Sequence, residues 1–415
     1  MVSSKGISVE SVVSFLENLA ANPSSIPASL REDDKLRKRL LSAIPKLVPE
    51  LEIPVEVGQR LFYSPLELIA ARVAVDLDLF NIFKASPTPL STEEVAKRTG
   101  KSPNPHLLTR ILRFLASVGM VREAGTGVWS SSHYGNNLSG EGEYAGIKST
   151  MDNCVLAGFA IPEYLRRHAF NPPEAHEDTP FGIGNREGSE EPTFYEWLAK
   201  RPQNARDFNV YMEYHRTGVR TWLDRPEIIS EIKDALEKIT EGKKGEEKSV
   251  AFVDIGGGIG HQCKALRTKV PEFKGKIVLE DLKEVVATAE PGEGIEKVEV
   301  NFLQGQPVKG AASYYFRSVL RNWPDPSSRT ILGYIRDAMD GDSLLLIDDL
   351  VLPDQGAHRY ETQLDLTMLA VLNAEARTEA HWKKLLSEVG LEVKDIVFYE
   401  EDAREGVIIA KKMVN

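Results

Sequence analysis

A glycine-rich turn in "VDIGGGIGHQ", residues 253–262, and an acidic residue 25 positions past its first glycine are the groups in this chain best suited to hold a ligand. Gly256, Gly258 and Gly260 let the backbone turn sharply and approach a bound molecule with no Cβ in the way. The turn follows an apolar run carrying Asp254, and ligands of parallel sheets bind at the carboxyl ends of such strands. Asp281 closes the next apolar run, "KIVLED", where a carboxylate can accept two hydrogen bonds from a ribose diol. The spacing is not that of the dinucleotide fingerprint. G-x-G-x-x-G would need glycine at 261 or 263, where His261 and Cys263 stand. A tight turn followed by an acidic helix cap is the plainer reading of the same residues.

A second group lies in "YYFRSVLRNWPD", residues 314–325. Arg321 cannot accept a proton: a guanidinium stays charged and has no acceptor lone pair. It can donate two hydrogen bonds to a carbonyl or enolate oxygen. In a site sheltered from water, such a donor contributes about 2.7–4 kcal/mol to a transition state that builds charge there. His133, in "SSSHYGNN", has an ordinary pKa near 6.5 and could exchange a proton with a leaving hydroxyl, although a lone histidine is also a common structural hydrogen-bonder. His215 and Arg216, in "YMEYHRTG", are further polar candidates, with an ion pair on its own helix the alternative for Arg216. Phe208 and Met212 share that helix's apolar spacing, which fits core packing as well as substrate contact.

These groups need a scaffold, and the pattern supplies an α/β one. From "SVAFVDIG" to "GVIIAKK", apolar runs alternate with helical patterns, predicting a doubly wound, mostly parallel sheet with both faces covered. Only "EEDARE" separates the last two runs, too short for a crossover helix, so they form an antiparallel pair. The N-terminal half is helical. Residues 64–85 read as one long amphipathic helix, and 91–134 as helix–turn–helix–wing, with Ser91 capping the first of those helices. Residues 174–194, rich in glycine, proline and acids, read as a lid, a binding loop or a disordered segment. The expected divisions are 1–170, a helical and winged-helix domain; 171–225, the lid and connecting helix; and 226–415, the ligand-binding domain.

Composition excludes several functions. The chain has 415 residues, 42% hydrophobic and 27% charged, as in a globular protein with a sizeable core. A net charge of −11 argues against a phosphate-binding surface, so the winged unit is read as a packing or dimerisation element and no nucleic-acid partner is expected. Two cysteines far apart in sequence give no disulfide framework or metal cluster, and no metal is expected. No apolar run reaches the length of a membrane span, and the start lacks a signal peptide's apolar core, which predicts a cytoplasmic protein.

Together "VDIGGGIG", "DL" at 281–282, "QPVKGA" at 306–311, "VLRNWPD" and "LLLIDDLVLP" resemble the fungal and plant-type O-methyltransferases of the class I S-adenosylmethionine-dependent fold. The resemblance covers most of the chain, including the winged-helix domain that makes an intertwined homodimer in that family. It implies a Rossmann-like domain with a seven-stranded sheet in which Asp254, Gly256 and Gly258 approach S-adenosylmethionine and Asp281 holds its ribose. Asn301 and Phe302 would border the adenine, with Asn301 standing where the family usually has aspartate, and Arg317 is the family's basic residue near the cofactor.

The catalytic positions depart from the family. Its "HDWPD" places the proton-accepting histidine where Arg321 stands, and Asn322 replaces the following aspartate. Of the two acids that orient that histidine, one matches Asp349, shortened from glutamate. The other, from "GKERT", falls on Ala376, with Glu375 adjacent but facing elsewhere. These departures resemble those of the methyltransferase-like pericyclases of fungal natural-product pathways, the leporin-type Alder-ene and hetero-Diels–Alder cyclases. The resemblance implies a cyclase of secondary metabolism that binds S-adenosylmethionine without consuming it. It would dehydrate or cyclise a polyketide–peptide-derived 2-pyridone quinone methide, with Arg321 as catalytic donor, assisted by His133 and Arg216. Met212, His215 and Asp349 would line the pocket. An O-methyltransferase acting on an already ionised enol or hydroxypyridone is the main alternative, and an inactive binding paralogue the third.

Overall fold

Caps in the sequence set the N-terminal helices. Ser8 accepts the Ser11 N–H at 3.1 Å and opens α1 (Val9–Ala21). The short α2 (Ala28–Glu32) precedes α3 (Asp34–Leu51), where Asp33 takes the Leu36 N–H at 2.9 Å. Pro54 begins α4 (Pro54–Tyr63) at the one helical position where its missing N–H costs nothing. This computed structural model describes residues 8–22, 26–171, 177–214, 220–242, 249–400 and 404–413. The chain divides into two compact units, Met1–Ala70 and Ala71–Asn415. In the first, α3 buries none of its residues, and Phe15, Leu16, Leu40, Ile44, Leu61 and Phe62 are 40–74% exposed. So much exposed apolar surface is unusual for a chain that works alone.

The predicted long helix over 64–85 is broken into α5 (Pro65–Asp76) and α6 (Leu79–Lys84). Asp78 adopts φ 58°, a left-handed conformation that aspartate tolerates, and the turn it makes lets Leu79, Phe80 and Phe83 become buried. The helix–turn–helix–wing follows as read: β1 (Leu90–Ser91), α7 (Thr92–Arg98), α8 (Pro105–Ser117), β2 (Val121–Gly125) and β3 (Val128–Ser131), with sheet order β1-β3-β2. Ser91 and Glu94 form a reciprocal capping box, and the fully buried Trp129 donates from its indole to Thr92 at 2.9 Å.

Next come α9 (His133–Asn137), α10 (Glu141–Ser149), a π-turn over Thr150–Cys154, and α11 (Val155–Arg167). The expected loop is more structured than its composition indicates. It contains α12 (Pro180–Gly184) and leads into α13 (Phe194–Ala199) and α14 (Pro202–Tyr214). Thr179 caps α12, and Phe181, fully buried, packs edge-on against Phe194 and Trp197 at 5.4 and 5.7 Å. One aromatic anchor outweighs the loop-forming residues around it.

The C-terminal domain runs α15 (Pro226–Gly242), β4 (Val250–Ile255), α16 (His261–Lys269), β5 (Lys276–Asp281), α17 (Lys283–Thr288), β6 (Ile295–Glu299), β7 (Ser313–Arg317), α18 (Asp325–Ala338), β8 (Leu344–Leu350), α19 (Arg359–Leu372), α20 (Glu379–Glu388), β9 (Leu391–Glu400) and β10 (Glu405–Lys412). The seven-stranded sheet has the order β6-β5-β4-β7-β8-β10-β9, and β10 pairs antiparallel with both β8 and β9. Strand β6 ends at Glu299, short of Asn301 and Phe302. The order reverses beside β4, so a crevice opens at the carboxyl ends of β4 and β7. Every residue of β8 is buried, as a strand covered on both faces requires. Among the described residues no helix is long and apolar enough to cross a membrane.

Candidate functional site

The glycine turn is seated first by backbone. The Glu280 carbonyl accepts the N–H groups of Gly256 and Gly257 at 2.8 and 3.2 Å. Gly256 and Gly258 have φ of +67° and +61°. A Cβ at Gly257 would lie 2.5 Å from the Asp254 carboxyl carbon, so that side of the loop is full. At Gly258 a Cβ would meet nothing within 4 Å. This is the open side, the space a bound molecule needs. Asp281 Oδ2 accepts the Gly258 N–H at 2.8 Å and Oδ1 the Leu282 N–H at 2.7 Å, which fixes the carboxylate at the rim of that space. Half-exposed Ile259 and Leu282 flank it. Phe302 lies beside Gly256, 3.6 Å from where a Cβ would stand, and holds Trp323 edge-on at 5.8 Å. Asn301 uses its side-chain oxygen locally, accepting the Leu303 N–H at 3.0 Å. The cradle, acid and aromatic together fit the adenosyl group of S-adenosylmethionine.

Beneath the turn sit two acids with little water. Asp254 is 1% exposed beside Cys263, 3.4 Å from the thiol, and burial pushes its carboxyl up to about 7. Glu280, fully buried, accepts from Gln306 at 2.7 Å, while its other oxygen has no partner among the described residues; burial raises it to about 7 as well. A carboxyl raised on folding stabilises the protein below its ordinary pKa, and that contribution is lost as pH rises through about 7. The difference between about 7 and the ordinary 4.5 corresponds to about 3 kcal/mol. Glu280→Gln is therefore expected to gain stability over wild type as pH rises from about 4.5 to about 7, with no further gain above, read as unfolding midpoints across that range. A constant difference would refute the assignment.

Arg317, at the end of β7, donates to Gln262 in the first turn of α16 at 2.9 Å and lies 3.5 Å from Asp348. Burial opposes its charge, but Asp348 together with Tyr315, Tyr399 and Glu405 outweighs it and holds the guanidinium protonated. The expected basic residue near the cofactor thus braces the helix after the glycine turn.

Past β7 the backbone is strained. Ser318 takes φ 54° without being glycine, and its N–H reaches the Asp348 carbonyl at 3.0 Å. Such conformations cost about 1–3 kcal/mol and cluster at functional sites. A 3₁₀ turn over Leu320–Asn322 then carries Arg321, which is 7% exposed. Its Nε donates to Asp349 Oδ1 at 2.5 Å. Burial works against the arginine's charge and Asp349 more than offsets it, so the guanidinium titrates above its ordinary range. At Asp349, 2% exposed, burial prevails over Arg321 and pushes the carboxyl up. The arginine cannot lose its proton, so the guanidinium remains a charged donor at neutral pH. Among the described residues the terminal guanidinium nitrogens have no hydrogen-bond partner, and the buried Asp349 Oδ2 has none either. The fork is therefore held from behind and left free to donate.

No acid faces Arg321 from the second expected position. Ala376 is 8% exposed in an apolar cluster with Leu350 and Leu352, while Glu375 is exposed and 3.8 Å from His381. The remaining candidates are not gathered here. His133 is exposed, its Nε2 3.2 Å from the Asn137 amide on its own helix, and Met212 is 43% exposed on α14. Neither has a contact with Arg321 or the glycine turn among those described. His215 and Arg216 lie outside the described residues. Sequence reasoning missed Gln262, Glu280 and Gln306, whose roles depend on partners 26–55 positions away.

Comparison with known proteins agrees with this geometry. Residues 235–392 match the O-methyltransferase domain and residues 68–139 the O-methyltransferase dimerisation domain. The chain is 31% identical over 380 residues to the O-methyltransferase ucdC of Aspergillus ustus, covering 91% of this chain and 95% of that protein. It is 31% identical over 388 residues to the O-methyltransferase lepI of Aspergillus flavus, covering 92% and 96%. Among solved structures, one described as "A Pericyclic Reaction enzyme" superposes with a TM-score of 0.81 at 30% identity, over 97% of this chain and all of the other. LepI in complex with SAM gives 0.80 at 30%, over 98% and 100%. These matches, with the sheet order and the glycine cradle, establish that the chain belongs to the fungal class I O-methyltransferase family, with a dimerisation domain and the S-adenosylmethionine-binding fold.

Proposed function

We propose that this protein is a methyltransferase-fold pericyclase of fungal secondary metabolism. On this reading it binds S-adenosylmethionine without consuming it and catalyses stereoselective dehydration and cyclisation, of Alder-ene or hetero-Diels–Alder type, of a 2-pyridone quinone methide derived from a polyketide–peptide precursor. The observation that carries the proposal is Arg321: a buried, permanently charged donor, backed by Asp349, where hydroxyl methylation needs a base. Pericyclic steps need no proton acceptor. They need a polyene held in a reactive fold and a donor aimed at the oxygen that gains charge, and each effect contributes several kcal/mol. Arg321 polarises the pyridone carbonyl through its free nitrogens. When bound, the cofactor supplies a permanent positive charge and a transferable methyl group. His133 and Arg216 are proposed to assist loss of the hydroxyl, and Met212 and His215 to line the pocket. The full-length likeness to a solved pericyclic enzyme supports the same reading.

A second reading is favoured by the curated relatives, most of which carry O-methyltransferase names. A 4-hydroxy-2-pyridone or tetramic acid already ionised near neutral pH needs no base, and Arg321 would pair with its oxyanion. Incubation with S-adenosylmethionine and candidate pyridones separates the two. An isomeric or dehydrated product without S-adenosylhomocysteine is expected, and stoichiometric S-adenosylhomocysteine would overturn the cyclase.

The working form is proposed to be a cytoplasmic homodimer, the second copy covering the apolar faces of the first unit. Sedimentation at twice the 46.1 kDa chain mass is expected; a monomer at micromolar concentration would contradict it.

A further inference from the structure

The 3₁₀ turn that carries Arg321 is a single turn, closed on the Leu320 carbonyl by the Trp323 N–H at 3.2 Å, and one buried side chain reinforces it at both ends. Arg377, fully buried in the segment between α19 and α20, donates from Nη1 to the Leu320 carbonyl at 2.9 Å and from Nη2 to the Trp323 carbonyl at 2.8 Å. Those two residues bracket Arg321. The same guanidinium reaches Ser328 at 3.2 Å and Asp325 Oδ1, through Nε, at 2.9 Å, and its centre lies 5.0 Å from the Trp382 ring. Asp325 is fixed in turn by His381 at 2.8 Å on its other oxygen. Burial raises the Asp325 carboxyl, but the hydrogen bond from His381 and the charge of Arg377 outweigh it, keeping it below its ordinary range.

The backbone of Arg377 is tied as well. Its carbonyl accepts the Leu352 N–H at 3.0 Å, just past β8, which carries Asp349. One residue thus holds the turn bearing Arg321 by its side chain and the strand bearing Asp349 by its main chain. We infer that Arg377 is the positioning residue of the site: it fixes the separation of the Arg321–Asp349 pair and hence where the free guanidinium nitrogens point. The inference deepens the proposed function and rests on it only in taking Arg321 as the reacting group.

Two measurements test it. Arg377→Lys keeps the charge but cannot serve four acceptors from one planar fork. Hydrogen exchange over residues 318–325 is expected to accelerate at least about 10-fold, while exchange over 250–262 and the S-adenosylhomocysteine Kd from calorimetry change less than about 3-fold, because the change opens the turn locally. Turnover by the Arg321-dependent reaction should fall about 100-fold in kcat with KM nearly unchanged, the cost of a misplaced reacting group. Unaltered exchange over 318–325, equal acceleration across the whole domain, or undiminished kcat each overturns the inference. Should Arg377→Lys fail to fold, Asp325→Asn leaves the arginine in place with one partner weakened. It should loosen the same segment to a smaller extent, and no local loosening would again overturn the inference. If wild type turns over no pyridone at all, the cyclase reading falls, and the exchange data decide the role of Arg377 by themselves.

Discussion

Arg321→Ala lowers the cyclisation rate about 10²–10³-fold while leaving cofactor affinity within a few-fold of wild type; that is the outcome expected if the guanidinium is the donor that stabilises developing charge on the substrate oxygen. The two halves of the site are built on different strand ends. The proposed cofactor cradle is formed by Gly256, Gly258 and Asp281 at the ends of β4 and β5, whereas Arg321 hangs from the turn after β7. Truncation at 321 should therefore spare binding, measured by calorimetry with S-adenosylhomocysteine, and remove rate and product selectivity, measured by chromatography of the isomers. Arg321→His supplies the missing base in name only. Ala376 offers no second carboxylate to orient it, so this variant should lose cyclisation and gain little methyl transfer. Full rate and selectivity in Arg321→Ala would end the proposal.

The second large effect is on stability. Asp349→Ala leaves the guanidinium of Arg321 buried without its hydrogen-bonded counter-charge, and breaking a buried pair in this way costs about 3–5 kcal/mol. The denaturant midpoint should fall accordingly, and activity should fall with it because the fork loses the contact that aims it. The double variant Arg321→Met with Asp349→Ala removes both charges and should recover most of the lost stability without recovering activity. If Asp349→Ala unfolds at the wild-type midpoint, the pair is not buried as described. The comparison separates the two jobs of the aspartate: cancelling a charge in a dry site and fixing the direction of a donor.

Both effects depend on residues whose types the sequence displayed openly. By itself the chain determined the sheet, because apolar runs buried on both faces call for covering helices, and it placed a glycine turn at the end of the first strand, where a ligand can approach the backbone. It also determined the loss of the base, since the chemistry of arginine is independent of its surroundings. The antiparallel final pair followed from a connection too short to cross over.

Tertiary structure decided the rest. The break at Asp78 and the helix inside the apparent loop turned on which aromatic side chains, Phe80 and Phe181, found a core to enter; local propensity could not say. Whether the fork of Arg321 is spent or free depended on Asp349, 28 positions later, taking Nε alone. The clamp by Arg377 lies 54 to 57 positions beyond the carbonyls it holds, next to the alanine that stands at the family's acidic position. His133 stayed on the surface of its chain because a histidine at a helix start can be satisfied by an amide one turn on. Periodicity and motif report what a residue can do. Which partner it meets is set by long-range packing, and there a buried charge must find its counterpart or the fold does not close.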